Sequence, residues 1–135
     1  MANRNYRVGF IITDTPGDVK WFYASPTALN NYDVFKSAGA TYQVTAGKTL
    51  YIGRLILATD TASTFFRIYY GDDAISNAAG PPTNEKQLTN QLDSPTANAS
   101  KSHDILLTIP ASKYGHFKSL TASATCLGNG GGIEI

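Results

Sequence analysis

Thr49-Leu-Tyr-Ile-Gly-Arg-Leu-Ile-Leu-Ala58, followed after a short polar break by Ser63-Thr-Phe-Phe-Arg-Ile-Tyr-Tyr70, decides the fold class of this chain. Neither stretch shows the three-to-four-residue apolar recurrence of a helix. Both are crowded with aromatic and β-branched side chains, which suit a pleated surface. Asp60-Thr-Ala62 between them and Gly71-Asp72-Asp73 after them are turn chemistry. The two stretches are therefore predicted to be strands. Under strict alternation Leu50, Ile52, Arg54 and Ile56 share one face of the first, while Tyr51, Gly53, Leu55 and Leu57 share the other. The second divides into Phe65, Arg67 and Tyr69 against Phe66, Ile68 and Tyr70. Apolar residues on both faces of both strands exceed what a lone sandwich with one wet face uses. That surplus predicts cover by other chains.

Further strands are expected over residues 6–13, 20–24, 41–45, 103–109, 116–123 and 132–135, with turns at 14–18, 46–48, 110–115 and 127–131. Residues 25–39 read as irregular, with one helical turn near 26–31. Residues 77–101 are rich in Pro, Asn, Ser, Thr and Ala, with Leu88 and Leu92 as large apolar anchors. So long a polar stretch inside a domain is expected to be an arm or lid, with 87–92 as a short edge strand. The sum is all-β: residues 1–135 as a single antiparallel β-sandwich, a jelly roll of about eight strands with one long ordered arm.

The totals narrow the function. A chain of 135 residues suits one domain. Charged residues are 16% of it, below the roughly 25% usual for soluble domains. A surface poor in charge loses little solvation when a neighbour covers it. The net charge is +1 and the basic residues are scattered, which argues against nucleic acid as a partner. No segment approaches a membrane span and no signal peptide is visible, so synthesis in a cytoplasm is expected. Cys126 has no second cysteine to pair with.

Several motifs point to chemistry that the rest of the chain does not support. Tyr70-Gly71-Asp72-Asp73 spells the metal-binding hairpin of template-directed polymerases, but that reaction needs a third carboxylate and a far larger fold. His103 and His116 flank a turn and would face each other across a hairpin. Two histidines are too few for a metal cluster, and no nucleophile elbow accompanies them. The turn aspartates Asp14, Asp18, Asp60, Asp72 and Asp73 suit turn capping, with calcium as the alternative. Gly128-Asn-Gly-Gly-Gly132 reads as a flexible turn. No catalytic residue, metal or cofactor is expected. The candidates for contact with partners are the aromatic and aliphatic side chains Trp21, Tyr23, Tyr32, Phe35, Tyr51, Phe65, Tyr69, Leu88 and Leu92. Aromatic platforms also serve carbohydrate-binding modules by stacking on sugar rings, which keeps that function open.

Tyr42-Gln-Val-Thr-Ala-Gly-Lys-Thr-Leu-Tyr-Ile-Gly-Arg-Leu-Ile-Leu57 resembles a corner found in phage virion β-sandwich proteins, where a short strand ends in Val-x-Ala-Gly-Lys and turns into a long apolar strand. Asp104-Ile-Leu-Leu-Thr-Ile-Pro-Ala111 resembles a second corner of that layout. The likeness covers residues 41–70 and 103–111. It implies a capsid decoration (cement) protein first and a tail or neck component second. On that reading the chain resides on the capsid surface of a virion, partners the major capsid protein or other virion proteins, and forms homo-oligomers, trimers among them.

Overall fold

The larger of two sheets is built around its last strand. The structure, a computed structural model, describes residues 6–8, 11–13, 18–61, 64–94, 97–122 and 124–135, and it is a β-sandwich of two packed antiparallel sheets. The strands in chain order are β1 (Tyr6–Val8), β2 (Ile11–Thr13), β3 (Asp18–Ala24), β4 (Asn31–Val34), β5 (Lys36–Ser37), β6 (Ala40–Thr41), β7 (Leu50–Thr59) and β8 (Thr64–Gly71). They continue as β9 (Ala78–Ala79), β10 (Lys86–Gln87), β11 (Leu92–Ser94), β12 (Ser100–His103), β13 (Leu107–Ile109), β14 (Tyr114–Ser119) and β15 (Cys126–Glu134). The seven-stranded sheet runs β12-β7-β15-β3-β5-β6, with β13 also on β7. The six-stranded sheet runs β10-β8-β14-β4-β9, with β11 also on β8. β1 and β2 pair with each other and lie against β7 and β15.

The core between the sheets is aromatic in the middle. Phe22 stacks on Phe35 with ring centroids 4.3 Å apart, Phe35 meets Phe117 at 5.1 Å, and Phe117 meets Phe66 at 6.3 Å. Leu50, Ile52, Leu55, Leu57, Ile68 and Ile109 close around them. Residues 127–131, expected as a turn, instead form the middle of β15, hydrogen-bonded to β3 on one side and β7 on the other. Space explains it. A Cβ on Gly128 would lie 2.6 Å from Cε2 and Cζ of Phe117, and one on Gly130 would collide with the ring of Phe22. The glycines let bulky rings press directly on a strand backbone.

The apparent two-sided surplus of β7 dissolves at a bulge. The register of β15 against β7 slips at Gly53: Gly131 faces Arg54, and Gly132 faces Ile52. One extra residue flips the alternation. The inner set is Leu50, Ile52, Leu55 and Leu57, all fully buried, and Tyr51, Arg54, Ile56 and Ala58 face outward. The second face of β8 is also accounted for within the chain. Residues 72–89, overlapping the expected arm, fold back over it. Val34 N donates to Ile75 O, Tyr32 Oη to Glu85 at 2.8 Å, and Ile68 N to Thr89 Oγ1. Pro82 sits so close over Gly71 that a Cβ there would be 2.7 Å from Pro82 Cγ.

Other expectations shift locally. The stretch 103–109 is two strands, β12 and β13, separated by residues 104–106 opposite the Gly53 bulge. Residues 25–39 hold β4 and β5 and no helical turn. Residues 42–45 leave the sheet, because Val44 N donates to Lys113 O and Ser112 N donates to Val44 O. His103 and His116 do not face each other: β12 and β14 belong to opposite sheets. The centre of the turn at 14–18 and residues 1–5 lie outside the described residues.

His116 is fully buried on the outer side of β14, and Ile75 N donates to its Nε2 at 3.0 Å. Burial holds its pKa down at about 4, from 6.5. The unfolded chain therefore binds the proton first on acidification, and this part of the stability is complete above pH 6.5 and falls between 6.5 and 4. Over that window wild type should lose about 3 kcal/mol relative to His116→Gln. Urea unfolding of both proteins at several pH values measures the difference, and parallel pH profiles would refute it.

Candidate functional site

β3 carries its side chains alternately in and out. Phe22 and Ala24 enter the core, and Val19, Trp21 and Tyr23 point outward. β15 fixes one side of β3, β5 pairs with it at Tyr23, and Ser37 Oγ donates to Trp21 O at 2.8 Å. The backbone below these residues is thus held rigidly, yet the side chains have little cover. Trp21 is 64% exposed, Val19 44% and Tyr23 36%. Leu127, 41% exposed, adds to the same outer face from β15.

Cross-strand register arranges the neighbours. Tyr23 lies beside Asn129, which lies beside Ile56. Trp21 lies beside Gly131, which lies beside Arg54. Gly131 has no side chain, so none stands between Trp21 and Arg54 in this row. Arg54 Nε pairs with Asp104 at 2.9 Å. Both partners are exposed, so solvent screens the pair and it adds little to stability. The result is an apolar stripe along β3, bordered by an amide and an ion pair. Contiguous exposed apolar surface of this kind marks sites of contact. The groups it presents are planar aromatic area, one guanidinium, one carboxylate and one amide.

The sequence-derived candidates scatter across the molecule. Trp21, Tyr23 and the half-buried Tyr51 share this outer face. Phe35 is fully inside the core, and it offers no surface to a partner. Tyr32 and Tyr69 are buried on the outer side of the other sheet by the chain's own covering segment. Phe65 is half-buried there, and Leu88 and Leu92 pack against the core at the sheet margin. Val19 and Leu127 were missed. Alternation from Trp21 and Tyr23 points to Val19, but Leu127 reads as an outward residue only once β15 is known to be a strand.

Asp14 lies outside the described residues, and the other turn aspartates are occupied. Asp18 pairs with Lys48 at 2.9 Å, which holds its carboxyl below the usual range. Asp60 accepts from Thr125 N at 2.9 Å. Asp72, in the Tyr-Gly-Asp-Asp turn, pairs with Lys113 and accepts from Asn84, and Asp73 accepts from Thr83 N. Among the described residues no three of His, Cys, Asp or Glu stand together as metal ligands, and no helix is long and apolar enough to cross a membrane. No family model, curated protein or solved structure matches the chain.

Proposed function

We propose that this chain is a non-catalytic structural module that acts by being bound into a larger assembly through the outer face of its seven-stranded sheet. One observation carries the reading. A tryptophan, a tyrosine, a valine and a leucine stand exposed on the outer face of the paired strands β3 and β15. Trp, Tyr and Arg are the residue types that dominate binding energy at protein interfaces. The chain is also poor in charge, which favours coverage over solvation. Extending the resemblance of residues 41–70 and 103–111, the assembly is a phage virion and the chain a capsid decoration protein that contacts the major capsid protein as a homo-oligomer. The strand orders of the two sheets support the jelly-roll reading of the sandwich.

Trp21→Ala is expected to leave folding stability within about 0.5 kcal/mol, because the indole is mostly exposed. The same change should abolish oligomerisation and shell binding. Native mass measurement and co-sedimentation with capsid shells check both. A wild-type chain that stays monomeric and never sediments with shells refutes the proposal.

A second reading is carbohydrate binding. Trp21 and Tyr23 emerge two residues apart on one face, about 7 Å along the strand. Two rings so placed form a shelf for stacked sugar rings, with Asn129 and the Arg54–Asp104 pair as hydrogen-bonding groups beside it. A glycan array with hits abolished by Trp21→Ala selects this reading over assembly, and an array with no hits removes it.

A further inference from the structure

The outer face of the six-stranded sheet holds two cations side by side. Arg67 on β8 and Lys118 on β14 are direct cross-strand partners, so both side chains leave from the same face. Tyr32 on β4 is the next residue along that row, opposite Lys118. Lys118 Nζ stands 4.9 Å from the centroid of the Tyr32 ring and 5.6 Å from that of Tyr69. The two tyrosines meet edge to face, with centroids 5.3 Å apart.

Like charges directly opposite one another destabilise an antiparallel pair. Neither cation forms an ion pair with a carboxylate among the described residues. Glu85 is taken by the Tyr32 hydroxyl at 2.8 Å, and Asp93, opposite Phe65, is taken by Lys101 at 2.7 Å. Arg67 Nε is itself buried without an acceptor. A buried donor left in that state costs about 1–3 kcal/mol. Two unneutralised charges and one unsatisfied donor converge on one spot.

We propose that this spot is a binding site for a single oxyanion, seated on Arg67 and Lys118 and walled by Tyr32 and Tyr69. The guanidinium fork offers parallel N–H donors that match a carboxylate or a sulfate-type group, and the lysine adds a point charge. The buried rings of Tyr32 and Tyr69 lower the local polarity on one side of the site, which strengthens both contacts relative to open water. The site lies on the sheet opposite the Trp21 face, and it does not depend on the assembly reading.

The test is an NMR titration of the full chain at matched ionic strength with sodium acetate, sodium sulfate and sodium chloride. It follows the Arg67 Nε–H and the backbone amides of Ile68 and Lys118. Acetate or sulfate is expected to give saturable shifts centred on these groups, and chloride a small unsaturated drift. Stronger binding of acetate assigns a carboxylate source, and stronger binding of sulfate a sulfate- or phosphate-type source. Arg67→Gln and Lys118→Gln, checked for unchanged melting, should each weaken the saturable response by about tenfold or more. Equal responses to all three salts, or an undiminished response in Arg67→Gln, would overturn the site.

Discussion

Gly128→Ala is expected to lower the melting temperature by about 10 °C, corresponding to about 3 kcal/mol of lost stability for a chain of this size. The added methyl meets the tip of the Phe117 ring, 2.6 Å from Cε2 and Cζ and 2.8 Å from Cε1. The ring has nowhere to retreat: Phe35 and Phe66 bound it, and it is fully buried. The strand cannot move either, because β15 is hydrogen-bonded on both edges. Adding Phe117→Leu, which removes the colliding ring tip, should make the double variant more stable than the sum of the two single losses. Chemical denaturation of the four proteins measures this coupling. Strict additivity would mean that the ring and the glycine do not confront each other as described.

Asp33→Ala is expected to cost about 3–5 kcal/mol. The Asp33 carboxylate is almost fully buried and ties three segments together. It accepts from Ser25 N at 2.6 Å, from Asn77 N at 3.1 Å and from Lys36 Nζ at 3.0 Å. Lys36 can turn to water when its partner is lost. The two backbone N–H groups have less recourse, and each orphaned donor costs about 1–3 kcal/mol. Asn77 in turn anchors Thr27 and Asn31, so the loss spreads to both neighbouring loops. Asp33→Asn keeps one acceptor oxygen and the side-chain shape, and its cost should be about half as large. Amide exchange at Ser25 and Asn77 should accelerate in Asp33→Ala before the rest of the chain is affected. Equal stabilities of the Ala and Asn variants would show that the carboxylate does not hold these loops.

The layer architecture was legible because turn residues and β-rich bursts are local signals. β7 and β8 appear within a residue or two of their expected bounds. Most of what stayed hidden depends on partners distant in sequence. The bulge does not: Gly53, an isolated glycine inside a strand pattern, is itself the local sign of a bulge, and strict alternation carried through it puts two core leucines in the outward set of β7. The glycines of β15 read as a turn because their role is to be absent beneath Phe22 and Phe117, and those rings come from other strands. Residues 77–101 read as an arm because Pro, Asn, Ser, Thr and Ala dominate them, with Leu88 and Leu92 as the large apolar anchors. The docking of residues 72–89 instead uses backbone bonds to Val34 and Ile68, which composition does not display. Of the exposed outer face of β3, Trp21 and Tyr23 were readable from alternation alone, while their exposure depends on what packs against that face in the folded chain.

The placement of β15 sets the order in which the larger sheet can close. Its two flanking strands, β3 and β7, precede it by more than half the chain, yet neither pairs with the other. During synthesis their facing edges stay open until residues 126–134 emerge, which defers completion of this sheet to a late, high-contact-order step. The slot they leave accepts the same glycine-rich strand from a second molecule equally well. Refolding at high protein concentration should accordingly yield strand-exchanged dimers, a product that dilution suppresses.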